Sequence, residues 1–105
     1  MKPAAKKLGL MIAADPTRTG FRHAVNLART ALARGMDVYA YCIDEGVRGV
    51  PDPVLQELRG RGLKLHACAY SARQRNLPID DLAAYSGLIT VHELIAATDR
   101  FVSFN

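Results

Sequence analysis

The stretch KLGLMIA at residues 7–13 decides the fold. It is apolar after its first residue, and it stops just before the turn-forming pair Asp15-Pro16. A short continuous apolar run that ends at a turn signal is typical of a strand buried on both faces of a parallel sheet. We therefore predict a first parallel strand over Lys7–Ala13.

The residues that follow predict a helix and then a second strand. Apolar residues recur at helical spacing over Gly20–Arg34, with Thr17 or Thr19 as the N-cap and Gly35 as the stop. The next segment, Asp37–Ile43, is rich in β-branched and aromatic residues, which favour a strand. A helix therefore separates the first two predicted strands.

The middle of the chain repeats this order on a smaller scale. Asp52 caps and Pro53 opens a second helix, which ends among two glycines. Leu63–Ala67 predicts a short third strand, and its alternation of apolar and polar residues indicates a strand that is only half buried. Cys68–Arg75 then predicts a short helix that begins where the third strand ends.

The last part of the chain predicts two more strands around one helix. Gly87–Ile89 indicates a brief fourth strand. Thr90 followed by Glu93 has the spacing of a capping box, which indicates the start of a helix. Arg100–Phe104 predicts the fifth strand.

This order of elements predicts an α/β fold in a chain of 105 residues. Strands that alternate with helices imply a mostly parallel five-stranded sheet with helices on both faces and right-handed crossovers. A chain of this size is expected to build one hydrophobic core, so we expect residues 1–105 to form a single domain. Ligands of such sheets bind at the carboxyl ends of the strands.

The composition is that of an ordinary globular protein, with 50% hydrophobic and 23% charged residues. The apolar runs are too short to span a bilayer, and residues 1–7 lack the apolar core of a secretory signal, so we expect no membrane association and a cytoplasmic location. The net charge of +4 comes from basic residues that are spread along the chain. This pattern favours a solvated basic surface over nucleic-acid binding, and it also suits an acidic protein partner.

The two cysteines have different predicted environments. Their separation excludes a CxxC pair, so we expect both to be free thiols. Cys42 lies inside the second strand, where a cysteine usually acts as a small buried hydrophobe. Cys68 lies at a strand-to-helix junction, where backbone N–H groups and the positive end of a helix lower the pKa of a thiol. Arg73 and Arg75 can add to that effect, although a packed structural role for Cys68 remains an equal alternative.

Other candidate sites are weaker. The loop that begins at Asp15 has one glycine and no GK[ST] ending, so it is not a phosphate loop, and a turn between Asp15 and Thr17 is favoured over ligand contact. His92-Glu93 does not complete an HExxH motif because position 96 is Ala96. The three histidines lie in separate elements without ligand spacing, so no metal site is indicated.

The segment CAYSARQRN at residues 68–76 carries a family resemblance. Together with the order of elements, its cysteine, the alanine four residues later and the arginine seven residues later resemble the DsrE/DsrF/TusD-like sulfur-relay family. The resemblance continues through residues 28–35, 44–47 and 93–104, and so extends over nearly the whole chain. The chain departs from the family pattern at Asn76, where glycine is common, and at Glu45, which looks like an insertion in an Asp-Gly-Val turn.

The resemblance implies a DsrE-like fold and a cytoplasmic sulfurtransferase or sulfur carrier that assembles as homo-trimers or hexamers. Sulfane sulfur would be held as a persulfide on Cys68, and donor and acceptor proteins would be its partners. Because the chemistry is thiol exchange, no cofactor is required. In this hypothesis Cys68 is the nucleophile, and Arg73 or Arg75 docks the partner or supports the thiolate.

Two other function classes stay open. One is a non-catalytic oligomeric binding module, in which the exposed face of the third strand, Tyr70 and Tyr85 form subunit or partner contacts. The other is a small-ligand site at the strand ends that uses Asp15 and Arg18. Loading of Cys68 with sulfur separates the first hypothesis from both alternatives.

Overall fold

Strands and helices alternate along residues 4–105, which are the residues that the computed structural model describes. The strands are β1 (Lys7–Ile12), β2 (Asp37–Cys42), β3 (Lys64–Cys68), β4 (Ala84–Ser86) and β5 (Arg100–Phe104). The α-helices are α1 (Thr19–Ala33), α2 (Pro53–Gly60), α3 (Ala69–Gln74) and α4 (Leu88–Ala97). A 3₁₀ helix, named η1 here (Asp44–Gly49), follows β2.

The five strands form one sheet in the order β4-β3-β2-β1-β5. All four pairings are parallel, so the predicted α/β class is confirmed and the sheet is wholly parallel. β1 has a neighbouring strand on each side: Leu10 pairs with Ala40 of β2 and with Val102 of β5. The apolar stretch that opens the chain is therefore paired along both edges.

The core lies between the sheet and the two helices α1 and α2. Leu10 of β1 and Leu55 of α2 are fully buried, and Leu58 of α2 is buried beside them in the same cluster. Right-handed crossovers place α1 and α2 on one face of the sheet, because β1, β2 and β3 follow one another in space. The connection from β4 to β5 runs in the opposite direction across the sheet, so α4 covers the other face.

The fourth strand differs from the prediction. It spans Ala84–Ser86 rather than Gly87–Ile89, and Gly87 is the N-cap of α4. Ser86 is held in the sheet by pairing with Cys68, whereas Leu88 and Ile89 are 65% and 70% exposed in the first turn of the helix. A three-residue apolar run does not distinguish a strand from a helix, and this ambiguity explains the error.

Two predicted helix caps are also wrong. α4 begins two residues before Thr90, so Thr90 and Glu93 do not form a capping box at its start. The N-cap of α1 is Arg18, with no side-chain cap hydrogen bond. Neither predicted cap takes that place, because Thr19 is the first residue of the helix and the Thr17 hydroxyl donates to Asp15. The predicted cap of α2 is confirmed, since the Asp52 carboxylate accepts hydrogen bonds from two backbone N–H groups at the helix start.

The predicted helix stop at Gly35 is confirmed by its φ of +82°, in the left-handed region that glycine adopts without strain. β3 and α3 are each displaced by one residue from their predicted limits, within the usual uncertainty of element ends. Among residues 4–105 there is no helix with the length and apolar character needed to cross a membrane.

Candidate functional site

Cys68 lies where β3 passes into α3. It is the last residue of the strand and the N-cap of the helix, with an extended backbone (φ −77°, ψ 115°). Its Sγ accepts a hydrogen bond from the backbone N–H of Ser71, at 3.4 Å. The residue is only 4% exposed, so a reaction partner can approach the sulfur from a narrow range of directions.

Ser71 contributes a second polar group beside the sulfur. Its Oγ accepts a hydrogen bond from the backbone N–H of Asp44, at 3.0 Å, and the residue is buried. Because that contact uses an oxygen lone pair, the hydroxyl hydrogen of Ser71 is left to donate toward Cys68. Asp44 sits at the start of η1 with a φ of +52°, a conformation that Asp tolerates better than most residues.

Tyr41 approaches Cys68 from β2. Its ring is fully buried, and its hydroxyl lies 3.2 Å from the carbonyl oxygen of Ser86 and 3.1 Å from that of Gly87. Tyr41 is in register with His66, and Cys68 follows His66 by two residues, so the side chains of Tyr41 and Cys68 lie on the same face of the sheet. Ser86 pairs directly with Cys68, which brings the phenol and the sulfur to the same end of the sheet.

These contacts determine the acidity of the Cys68 thiol. Burial alone would raise its pKa, but hydrogen bonds from the side chain and backbone of Ser71, and from the Tyr41 hydroxyl, lower the pKa below its ordinary value. Burial raises the pKa of Cys42 to about 12, with no hydrogen bond to oppose it. The two thiols therefore differ in acidity, because of the two only Cys68 has hydrogen-bond donors that stabilise its thiolate.

The Tyr41 hydroxyl keeps its hydrogen at neutral pH. Burial, and then the nearby Cys68 sulfur, raise the pKa of Tyr41 to about 12. A phenol with that pKa is a hydrogen-bond donor at neutral pH. It can therefore stabilise negative charge on the sulfur.

Arg75 and Glu45 tie α3 to η1 on the same side of the sheet. The Arg75 guanidinium donates to the Glu45 carboxylate, with which it forms an ion pair, and to the carbonyl oxygen of Ser71 at 3.1 Å. Arg48 pairs with the other carboxylate oxygen of Glu45, at 3.1 Å. The hydrogen bonds from Arg75 and then Arg48 lower the pKa of the Glu45 carboxyl. The extra residue in the Asp-Gly-Val turn thus has two basic partners.

The remaining predicted site residues lie farther from the sulfur. Arg73 and Tyr70 are exposed on α3, and the Gln74 side chain donates to the Tyr70 hydroxyl at 2.8 Å. Asp15 forms the predicted turn with Thr17. Its carboxylate accepts from the Thr17 hydroxyl and from the Thr17 backbone N–H, the latter at 2.8 Å, and these hydrogen bonds lower the pKa of the carboxyl in that order. Asp15 follows β1, whereas Cys68 ends β3. β2 lies between these two strands, so they are two strand spacings apart, roughly 9–10 Å. The structure does not bring Asp15 to Cys68.

Two residues at the site were not found from the sequence. Ser71 stands three residues after Cys68. An N-cap side chain accepts a hydrogen bond from the backbone N–H at that position, so the capping rule could have indicated Ser71. Tyr41 could not be indicated in this way, because its place beside Cys68 depends on the pairing of β2 with β3. The residues that the structure describes contain no group of three or more His, Cys, Asp or Glu side chains that could hold a metal ion.

Comparison with known proteins agrees with this architecture. The model of the DsrE/DsrF-like family matches residues 6–104. The crystal structure of the ychN protein from E. coli is similar, with a TM-score of 0.79 and 13% sequence identity over 96% of this chain and 100% of that chain. No curated protein sequence gives a significant match. At 13% identity the structural likeness concerns the fold alone.

The family match spans the sheet, the helices and the whole Cys68 segment. The structural likeness to ychN agrees with the parallel α/β architecture of the chain. The chain therefore belongs to the DsrE/DsrF-like family.

Proposed function

We propose that this protein is a sulfur carrier in a sulfur relay and holds sulfane sulfur as a persulfide on Cys68. The observation that carries the proposal is the polar surrounding of one thiol: the Ser71 N–H donates to Cys68 Sγ at 3.4 Å, and Ser71 and Tyr41 lower the pKa of that thiol against the effect of burial. The DsrE/DsrF-like family is associated with sulfur relays, which supports the same reaction class. A thiolate is the form of cysteine that attacks sulfur.

The proposed reaction consists of two thiol exchanges. The Cys68 thiolate attacks the outer sulfur of a donor persulfide, a new S–S bond forms at Sγ, and the donor leaves as a thiolate. An acceptor thiolate then attacks the outer sulfur now held by Cys68, the Sγ–S bond breaks, and Cys68 leaves as a thiolate. The sulfane sulfur moves with its valence unchanged, so neither step needs an oxidant, a reductant or a cofactor.

The other residues receive supporting roles in this proposal. Tyr70 and Arg73 are exposed on the helix that begins at Cys68, and we assign them to contact with donor or acceptor proteins. Arg75 acts through Glu45 and the Ser71 carbonyl, as a positioning residue for α3. Asp15 is bonded to Thr17 and has no role in the transfer.

The proposed assembly is a homo-trimer or hexamer in the cytoplasm, with residues 1–105 acting as one domain. Leu88, Ile89 and Ile95 of α4 are 65%, 70% and 52% exposed, and several exposed apolar side chains on one helix support a subunit contact there. Both cysteines are free thiols, as expected for a reducing compartment.

A second candidate function is a non-catalytic oligomeric module of the same fold. The low exposure of Cys68, 4%, favours it, because a packed cysteine can serve structure alone. In that case the hydrogen bond from Ser71 would cap α3 and the sulfur would not react. The two functions predict different outcomes for one loading experiment.

The experiment incubates the reduced protein with a small-molecule persulfide and measures its intact mass. We expect the wild type and Cys42→Ala to gain one sulfur atom, Cys68→Ser to gain none, and a reductant to remove the added sulfur. Transfer to a small acceptor thiol then tests the second exchange. If the wild type gains no sulfur, or if Cys68→Ser gains it equally, the carrier function is wrong and the binding module is supported.

A further inference from the structure

Ser86 carries a hydroxyl that the fold leaves without a hydrogen bond. Its Oγ is buried, and no donor or acceptor among the residues that the structure describes bonds to it. The backbone carbonyl oxygen of the same residue is occupied, since it accepts from the Tyr41 hydroxyl at 3.2 Å. Buried polar groups nearly always have a partner, so a hydroxyl without one is unusual and is costly to the fold.

The strand pairing places this hydroxyl beside Cys68. Ser86 of β4 and Cys68 of β3 are register partners in a parallel pair. Register partners project to the same face of a sheet, and neighbouring strands lie about 4.8 Å apart. The two side chains are therefore adjacent on one face, at the last residue of both strands. Even so, the Ser86 hydroxyl makes no hydrogen bond to Sγ of the free thiol.

Loading with sulfur moves the ionisable atom of the site outward by one bond. In the free protein the charge of the thiolate lies on Sγ of Cys68, to which the Ser71 N–H donates at 3.4 Å. In a persulfide, Sγ is bonded to carbon and to sulfur, so the hydrogen or the negative charge belongs to the outer sulfur. That atom lies about 2.0 Å beyond Sγ. A donor that is placed for Sγ is therefore not placed for the outer sulfur.

A persulfide on Cys68 is long enough to reach toward Ser86. The added S–S bond of about 2.0 Å is a large part of the spacing of about 4.8 Å between β3 and β4. The Ser86 side chain has three staggered positions, and no hydrogen bond holds its hydroxyl in any of them, so it is free to turn toward the added sulfur. An anionic sulfur is also a stronger acceptor than a neutral one.

We propose that Ser86 is a binding residue for the transferred sulfur and donates a hydrogen bond to the outer sulfur of the Cys68 persulfide. This inference rests on the proposed sulfur-carrier function. The hydroxyl has no acceptor in the free protein and gains one on loading, so it stabilises the loaded protein selectively. The transferred atom is then held on the β4 side of Cys68, close to Gly87, the N-cap of α4.

Tyr41 offers a competing explanation for the Ser86 hydroxyl. The Tyr41 oxygen lies 3.2 Å from the Ser86 carbonyl oxygen, so a turn of the Ser86 side chain can bring its hydroxyl toward the phenol. Burial raises the pKa of Tyr41 to about 12, and the Ser86 hydroxyl opposes that rise. If Ser86 served only Tyr41, any effect of Ser86 on loading would disappear in Tyr41→Phe. This variant therefore separates the two roles.

The test measures the equilibrium of sulfur exchange between Cys68 and a small thiol. The protein, in a Cys42→Ala background, is mixed with free cysteine and cysteine persulfide at fixed ratios, and the intact mass gives the loaded fraction. One sulfur atom passes from cysteine persulfide to Cys68 and free cysteine is released, so the exchange needs no other reactant. A hydrogen bond to a charged group corresponds to a factor of about ten or more. We therefore expect Ser86→Ala to lower the exchange constant about tenfold or more.

Further variants separate the hydroxyl from the shape of the side chain. Ser86→Thr keeps the hydroxyl and should load like the parent, whereas Ser86→Val has nearly the same shape as Ser86→Thr and should load like Ser86→Ala. Ser103→Ala, at an exposed position of β5, is the control and should load like the parent. The alkylation rate of reduced Cys68 and the urea midpoint should be unchanged in Ser86→Ala, because the free protein loses no hydrogen bond.

The outcomes distinguish this inference from the carrier function. Equal exchange constants for the parent and Ser86→Ala overturn the role of Ser86 and leave the carrier function intact. Loss of the effect in a Tyr41→Phe background overturns it as well and assigns the hydroxyl to Tyr41. If the parent gains no sulfur, the carrier function is wrong and the role of Ser86 is wrong with it. If Ser86→Ala does not fold, equal constants for Ser86→Thr and Ser86→Val overturn the inference instead.

Discussion

Replacement of Ser71 by alanine tests whether the hydrogen bonds at Cys68 control its reactivity. The substitution removes the side-chain donor but keeps the backbone N–H that contacts Sγ at 3.4 Å. A hydrogen bond to a charged group contributes about 1.5–3 kcal/mol, and about 1.4 kcal/mol corresponds to one pKa unit. We therefore expect the pKa of the Cys68 thiol to rise by about 1–2 units in Ser71→Ala.

The rate of alkylation changes less than the pKa. A rise of about one unit lowers the thiolate fraction at neutral pH by up to tenfold, but the remaining thiolate is more nucleophilic, with a Brønsted slope of about 0.4–0.5. The two effects together predict a rate at pH 7 that is about threefold lower. At a pH above both pKa values, the order reverses and Ser71→Ala reacts faster than the parent.

The assay is the rate of reaction with iodoacetamide as a function of pH, in a Cys42→Ala background so that one thiol is observed. Ser103→Ala, a substitution of an exposed serine on β5, is the matched control and should keep the parent pH profile. Urea unfolding accompanies the assay, because Ser71→Ala also leaves the Asp44 N–H without its acceptor, at a cost of about 1–3 kcal/mol. If Ser71→Ala folds and its pH profile matches that of Ser103→Ala, the electrostatic account of Cys68 is wrong.

Three further predictions concern the core, the η1 contact and the turn after α3. Leu10→Ala should lower the free energy of unfolding by about 2–5 kcal/mol in urea titrations, because Leu10 is fully buried in β1; a loss below about 1 kcal/mol would contradict that packing. The lowered pKa of Glu45 stabilises the fold above its unfolded pKa of about 4.3, and this stabilisation is lost as the pH falls through the lower folded value. The urea midpoint of the wild type should therefore drop more steeply than that of Glu45→Gln below about pH 4, and parallel curves would count against the ion pair. Asn76→Ala should destabilise by about 1–2 kcal/mol whereas Asn76→Gly should not, because Asn76 has a φ of +54°; equal thermal midpoints for the two variants would show that this backbone conformation is not costly.

Features that depend on neighbouring residues were predictable from the sequence. β1 follows from one apolar run, and α2 follows from the Asp52-Pro53 pair, whose carboxylate caps the helix as expected. The position of Cys68 at the end of β3 follows from the alternation of elements. In each case the signal lies within a few residues of the feature that it predicts.

Features that depend on distant pairing were not predictable. Tyr41 reaches Cys68 only because β2 and β3 are adjacent and in register, and the tyrosine then bonds to carbonyl groups more than forty residues away in sequence. The Arg75–Glu45 pair likewise joins the C-terminal end of α3 to η1 through tertiary packing, with a separation of 30 residues. β4 was misplaced because Ser86 is kept in the sheet by one neighbouring strand, which no local pattern reports.

The position of β1 between β2 and β5 has a consequence for folding. β1 lies 92 residues before its partner in the sequence, as the pair Leu8 and Arg100 shows. One edge of this apolar strand therefore has no native neighbour until β5 docks against it. Unpaired strand edges promote association between chains, so partly folded forms that lack the β1–β5 pairing are the ones most prone to aggregation.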